Sequence, residues 1–594
     1  MLCRGGIQRI SAMLQKSIIL ATIFCLPASN IWSGSPITID GQFEDWTSVP
    51  VAHSDIAGQG LDEDFAELKI TNDNDFLFLK FSFHNNEQLL QDLNNIRLYI
   101  DTDNNQQSGF QIHGIGADLE WCFGCRQGVY HNSTGPITIR QAEIVLRTAP
   151  TITAKNFELA LSLNSLPMTL SATQTPDTIA VVFATSDKAD LIPDQPGGVR
   201  YVIDTTCVEP PGLIPLVRQQ QQHIRVLTYN TRGGGLLDSN RQGHFQRIIQ
   251  TLDPDILAFQ EQAGGDQVKS LIASWLQETN LHSVELGNNN LVVSRYPVLN
   301  QALMTTSGRT MAVMLQTESV LGTNLLILNS HLACCSNNAS RQQDADEIIM
   351  GLRNWRAGSG PFPLPDNTPI IHLGDFNLVG SSQQLRTLAE GDIADELNFG
   401  SDFYPDWDGT ALTDLFSRHT SIRMGYTWSN DNESFSPGKL DYILFTDSVI
   451  ELGNHFVLNT LAMSDSELDM YGLLSDDTNI ASDHLPRIMD ISSANPLSVQ
   501  DIVVDIPHGF QLFPAFPNPF NPTTKIQYSL PVATHVSLKV YDMLGRQVKV
   551  LVNEFKTSGS YRVEFDATGL ASGLYAYRFE VAGFSKVEKI MLLK

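Results

Sequence analysis

The spacing of apolar positions changes character twice along the chain. Over residues 36–205, short apolar alternations such as "ELKI", "FLFLKFSF", "IRLYI" and "IAVVFA" are divided by Asn, Asp and Gly clusters. That is the period-two pattern of half-buried strands and predicts an all-β module. The stretch 206–222, with "CVEPPGLIPLVRQQQQ", holds three prolines and four glutamines and predicts an exposed linker. From His223 the period lengthens: "IRVLTYN" predicts a buried strand, "HFQRIIQTL" a helix and "ILAFQE" a second strand. This order continues to residue 492 and predicts an α/β layered domain over 223–492. Residues 493–509, "SANPLSVQDIVVDIPHG", form a second joint, and 510–594 return to short strands with regularly spaced turn residues, as in a small β-sandwich. No internal repeat is visible.

At the other end, Lys16 precedes the apolar run "SIILATIFCLPA", residues 17–28, followed by small and polar residues. The run is too short to span a bilayer and predicts an export signal, with 1–35 as signal peptide and leader. Arg4 and Arg9 lie upstream, and Met13 offers a second start. Cys25 is a poor lipidation site, because Phe24 stands where a small residue is needed.

Length and charge narrow the classes. A chain of 594 residues calls for three or four domains at roughly 150 residues each. The formal net charge of −27 opposes binding of polyanions through a broad basic surface. It still allows a hydrolase that grips a phosphodiester locally through a metal ion. Outside the leader the cysteines are Cys122, Cys125, Cys207, Cys334 and Cys335. A C-x-x-C without a second pair at zinc spacing, in an exported chain, reads as a disulfide. Cys334–Cys335 is open between a vicinal disulfide, two thiols and bridges elsewhere.

The chemistry-bearing residues of 223–492 sit at predicted strand ends. Asn230 closes "IRVLTYN", Glu261 follows "ILAFQ", His331 follows "LLILNS", Asp375 and Asn377 follow "PIIHLG", Asp441 opens "DYILF", and Asp483 with His484 comes last in "SDHLP". Strand ends and the loops beyond them are where sites assemble in layered α/β folds. Carboxylates, carboxamides and imidazoles together suit a hard cation with acid–base groups. Each group alone has a plainer reading: a capped turn for Asp483–His484, a turn former at Asn230, a solvated Glu261. "RGGG", 232–235, lacks the lysine and spacing of a nucleotide-binding loop and reads as a flexible turn. "YPDWDG", 404–409, and Trp428 read equally as packing or as a substrate platform.

Taken in order, "TYN", "QEQ", "NSHL", "GDFN", "LDYIL" and "SDH" resemble the endonuclease/exonuclease/phosphatase superfamily of metal-dependent phosphodiesterases over residues 223–492. The resemblance implies an α/β four-layer sandwich. It implies that Asn230, Glu261 and Asp483 hold a divalent ion, Mg²⁺ first and Mn²⁺ or Ca²⁺ as substitutes. Asp375 and Asn377 would position and activate the attacking water, His331 and His484 would flank the phosphorus, and Asp441 would orient an imidazole. Asp483 would orient His484 or coordinate, and Arg309 and Asn377 would contact the phosphate. The central domain carries roughly −18 of the charge by residue count, so only a local groove could be basic, lined by Arg232, Arg241, Arg295, Arg309, Arg341 or Arg423. The expected activity is a secreted nuclease, with nucleic acid as substrate. Small or lipid-linked phosphates are the alternative, and a surface binding protein without activity is the rival class.

The flanks carry resemblances of their own. "ITIDGQFEDW", "YIDTDNNQQSGF" and "GADLEW" resemble family nine carbohydrate-binding β-sandwich modules over 36–205, which implies a polysaccharide partner. Asp101, Asp103 and Asn105 alternate oxygen ligands as a calcium loop would, although Gln106 and Ile112 exclude an EF-hand. Trp46 and Trp121 are candidates for sugar stacking, with core packing the plainer reading. "FPAFPNPFNPTTKIQYSLP", "VYDMLGRQV" and the closing "GLASGLYAYRFEVAGFSKVEKIMLLK" resemble the type IX secretion C-terminal sorting domain over 510–594. That implies an Ig-like sandwich, handling by the type IX secretion machinery and export to the surface or medium of a Bacteroidetes-like bacterium. A monomer is expected.

Overall fold

The computed structural model describes residues 36–593 except 61, 93, 170–175, 207–210, 495–509, 514, 516–517, 533, 557–558 and 582–583. The leader, Cys207 and residues 495–509 of the second joint lie outside the described residues. The chain is multidomain and mostly β-sheet. The first module packs a five-stranded sheet on a seven-stranded one around Phe65, Phe81, Phe157 and Phe183. Trp46 and Trp121 are 1% and 2% exposed, so both are core residues and neither presents a ring to a sugar. Cys122 and Cys125 form the expected disulfide. The C-terminal region folds as three- and four-stranded sheets on a core that includes Tyr528, Leu538 and Phe579.

The central domain holds two six-stranded sheets. In the first, β1 (Ile224–Asn230) runs parallel to β2 (Ile256–Gln260) and antiparallel to β6 (Arg487–Ser493). In the second, β3 (Leu325–His331) runs parallel to β4 (Ile370–Asp375), which is antiparallel to β5 (Asp441–Phe445). These strands are apolar on both faces because both faces are covered. Val226, Ala258, Ile327, Ile371 and Ile443 fill the space between the sheets. Their neighbours Leu227, Leu257 and Phe259 turn outward to helices α1 (Gln242–Leu252) and α2 (Gly265–Leu276), while Leu326, Leu328 and Leu444 meet α3 (Asn338–Asn354). Helix α1 buries Phe245, Ile248, Ile249 and Leu252, spaced i, i+3, i+4, i+7 as one helical stripe requires. Among the described residues no helix is long and apolar enough to cross a membrane.

One expectation changes here. The linker is not uniformly exposed: Leu216 is buried in the central core, and its carbonyl accepts from Arg225. The first module also packs against the central domain. Ile39 bridges Met424, and Ile37, Ile39, Trp46 and Met424 share one apolar cluster.

Candidate active site

The site grows from strand register. His331 on β3 lies opposite Asp375 on β4, and Asp375 opposite Asp441 on β5. Paired residues on neighbouring strands point to the same face, so three functional side chains stand in a row at one end of the second sheet. The first sheet ends at the same place. Asn230 closes β1 beside Gln260, and Glu261 follows directly. The sheets meet where Asn230 Nδ2 donates to Asp375 Oδ2 at 3.0 Å and to Glu261 Oε1 at 3.1 Å.

Asp375 is the hub. Its Oδ2 also accepts from Asn377 Nδ2 at 2.9 Å, and it lies 3.7 Å from His331 Nε2 and 3.8 Å from His484 Nε2. Burial raises the Asp375 carboxyl above its ordinary range, with His484, His331 and the Asn230 bond pulling the other way. His484 Nδ1 sits 2.8 Å from Asp441 Oδ2. Burial alone would lower this imidazole, but Asp441 and then Asp375 raise it to about 10. Asp441 is itself fixed: Thr427 Oγ1 accepts from its backbone N–H, and Arg487 Nη1 donates to its carbonyl at 2.6 Å.

Backbone strain clusters at the same place. Glu261 and Asn377 adopt φ of 57° and 51°, a region non-glycine residues occupy only where surroundings enforce it. Glu261 is held by the "RGGG" turn, which donates Gly233 N–H to Oε2 and Gly234 N–H to the Glu261 carbonyl, both at 2.7 Å. Gly374 has φ 129°, and a Cβ there would come within 2.0 Å of the Ser330 carbonyl oxygen. The glycine of "GDFN" is what lets β4 deliver Asp375 so close to β3.

Seven of the nine anticipated residues converge directly: Asn230, Glu261, His331, Asp375, Asn377, Asp441 and His484. Asp483 reaches the cleft rim, its Oδ2 3.6 Å from Arg232 Nε. Arg309 does not line the cleft. Its carbonyl accepts from the His331 N–H, and its guanidinium acts on Asp344. The expected basic groove is also absent among the described residues. Arg295 is tied to Asp253, Asp255 and Glu278. Arg341 is buried on the Ala333 and Cys335 carbonyls, and Arg241 holds those of Thr231 and Ala481. Of that group only Arg232 lines the cleft. Trp428 lines it too, whereas "YPDWDG" lies outside it: Trp407 donates to the Thr368 carbonyl under the Arg356 guanidinium, and Tyr404 is exposed. Cys334 and Cys335 are exposed thiols on the rim.

The donor set fits a cation. Glu261, His331 and Asp375 offer ligand atoms within 4.8 Å of one another, as do Asp375, Asp441 and His484. Carboxylate and carboxamide oxygens are hard donors suited to a divalent ion, and the buried Asp375 gains a countercharge from one. In the first module Asp118, which sequence reasoning missed, joins Asp101 and Asp103 in a like cluster. Asn105 accepts from Gln107 N–H within its own turn.

Residues 227–484 match the Endonuclease/Exonuclease/phosphatase family. Members of that family hydrolyse phosphoester bonds, and the match spans every converging residue above. Residues 514–593 match the Secretion system C-terminal sorting domain, which indicates export through type IX secretion to the cell surface or medium. No curated protein matches the chain. Among solved structures it is similar to beta toxin of Staphylococcus aureus with bound magnesium ions (12% identity, 46% of this chain and 99% of that one, TM-score 0.27). It is similar to sphingomyelinase C of Streptomyces griseocarneus (15%, 46% and 99%, 0.29) and to the AP endonuclease LMAP of Leishmania major (14%, 47% and 93%, 0.27).

One buried histidine beside the site makes a stability prediction. His372 is 1% exposed, its Nε2 2.7 Å from Ser330 Oγ, and burial pushes its pKa down to about 3. The unfolded chain binds the proton more readily, so its contribution is present above about pH 6.5 and is lost as pH falls towards 3. Relative to a His372→Gln variant, the wild type should lose up to about 1.4 kcal/mol per pH unit below 6.5. Urea unfolding of both proteins between pH 7 and 5 measures this, and a pH-independent difference refutes it.

Proposed function

We propose that the central domain is a divalent-metal-dependent phosphodiesterase and that the exported protein acts as an extracellular nuclease, with nucleic acid as the leading substrate. The observation that carries this reading is the Asp441–His484 pair meeting Asp375, Asn377 and the Asn230–Glu261 pair at one cleft. Glu261 and Asp375, with His331 in reach, would hold the ion, Mg²⁺ first, and Asn230, donating from Nδ2 to both carboxylates, would hold them together. The ion would supply Lewis-acid stabilisation of charge on the phosphoryl oxygens. Asn377 Nδ2 donates to Asp375 Oδ2 and to the Leu332 carbonyl, so the role of Asn377 is to fix the Asp375 carboxylate in the cleft. His484, its Nδ1 anchored by Asp441, directs Nε2 into the cleft as a proton donor to an oxygen of the phosphoester, and His331 faces it across Asp375. Asp375 is placed to accept a proton from water. Such donors act strongly because the site is largely removed from solvent.

Removal of the metal tests the proposal. EDTA should abolish hydrolysis of plasmid DNA, RNA and bis(p-nitrophenyl) phosphate, and Mg²⁺ or Mn²⁺ should restore it. Glu261→Gln should weaken activation by Mg²⁺ by roughly 10- to 100-fold, read as the Mg²⁺ concentration at half-maximal rate. Activity indifferent to chelation overturns the metal-dependent reading. A separate structural Ca²⁺ at Asp101, Asp103 and Asp118 is supported by the buried Asp101 Oδ1, which has no hydrogen-bond partner. Ca²⁺ should then raise the melting temperature of wild type and not of Asp101→Asn.

A further inference from the structure

The first module forms part of the cleft itself. Leu89, Gln91, Asp92 and Arg126 line the same space as His331, Asp375 and His484, a cleft of about 610 Å³. The wall is fixed in place. Thr153 N–H donates to the Gly380 carbonyl at 2.8 Å and Thr151 Oγ1 to that of Leu378 at 2.7 Å. Ser436 N–H donates to Gln91 Oε1 at 2.8 Å, and Glu87 Oε2 accepts from both Ser382 and Thr153 hydroxyls.

Arg126 is the outstanding group on this wall. It follows the Cys122–Cys125 disulfide directly, in a left-handed backbone conformation of φ 56°. Its Cζ lies 4.2 Å over the ring of Phe435, which belongs to the central domain and is 38% exposed. Nη1 is 3.2 Å from the Gln91 carbonyl oxygen and 3.4 Å from Asp92 Oδ1, and Nε is buried without a hydrogen-bond partner. A guanidinium 4.2 Å over a partly exposed ring offers a cationic and aromatic surface on which a planar group can stack. Leu89, Val379 and Trp428 continue that apolar lining. The volume falls in the range of sites for small organic ligands.

We infer that Arg126 and Phe435, brought together across the two modules, are specificity-determining residues that hold a flat aromatic group, nucleoside-sized, attached to the reacting phosphate. This rests on the phosphodiesterase reading and names the part of the substrate that does not react. The first module is then a component of the substrate site.

The test uses the full-length protein and two diesters with one leaving group, thymidine 5′-(p-nitrophenyl phosphate) and methyl p-nitrophenyl phosphate. Arg126→Ala and Phe435→Ala should each raise KM for the thymidine ester roughly tenfold while kcat stays within about twofold. The methyl ester should be unaffected, and Arg126→Lys should recover part of the loss. Equal losses on both esters mean that Arg126 only supports the fold, and unchanged KM means no contact; either overturns the inference. Calorimetric binding of thymidine 5′-monophosphate reads the platform without turnover. Unweakened binding in Arg126→Ala refutes it, even if the wild type hydrolyses neither ester. Failure of hydrolysis with retained, Arg126-dependent binding would sink the phosphodiesterase reading alone.

Discussion

Replacing His484 by alanine is expected to lower kcat by about two to four orders of magnitude, the range general acid–base groups contribute, while KM changes little. The reason is positional. Asp441 fixes Nδ1 at 2.8 Å, so the ring is held in one orientation with Nε2 toward Asp375. At 6% exposure no water readily substitutes for it. Asp441→Asn provides the control. It keeps the imidazole but removes the charge that raises it to about 10. Losing an anion that favours the protonated form lowers the pKa, so the alkaline fall in rate should move to lower pH. Steady-state kinetics from pH 5 to 10, with circular dichroism of each variant, measure both effects. A kcat for His484→Ala within a few-fold of wild type, in a folded protein, would remove this residue from the chemistry.

The second large effect concerns stability. Arg225 and Asp490 face each other across β1 and β6, with Nε–Oδ1 at 2.6 Å and Nη2–Oδ2 at 2.7 Å. Their side chains are 2% and 0% exposed. Arg225 Nη1 also donates to the carbonyls of Leu216 and Leu252, which ties the linker and the end of α1 to the sheet. Arg225→Met leaves Asp490 as an uncompensated buried charge and should cost about 3–5 kcal/mol, a fall of roughly 6–20 °C in the melting temperature of the central domain. Arg225→Met with Asp490→Leu should recover part of this, because a buried pair can be exchanged for apolar groups more safely than it can be broken. Recovery stays partial because two carbonyls still lack their donor. Scanning calorimetry of the single and double variants decides it, and a single variant as stable as wild type would refute the argument.

The candidate site was readable to the extent that it is local. Asn230, Glu261, His331, Asp375 and Asp441 each sit where an apolar run of strand length stops or starts, and a strand end is a property of a short segment. "GDFN" carries its own geometry, since Gly374 is needed for the approach of β3 and β4. Arginine roles were not readable in this way. Arg241, Arg295 and Arg341 have the composition of a groove and the partners of a scaffold, because a guanidinium's partners are set by whichever carbonyl or carboxylate folding brings near. Asp118 escaped notice for the same reason: it lies 15 residues from Asp103 in sequence and joins it only across a turn.

Sequence alone determined the division into β, α/β and β regions, the disulfide reading of Cys122–Cys125 and the set of polar groups that converge. These rest on period, spacing and residue type within short stretches. Tertiary structure decided the pairing of His484 with Asp441, the meeting of two sheets at Asp375 and the seating of the first module against the cleft. Those contacts join residues tens to hundreds of positions apart, through loops such as 87–92 and 429–437 that carry no periodic pattern, so only the packed chain could set Arg126 over Phe435.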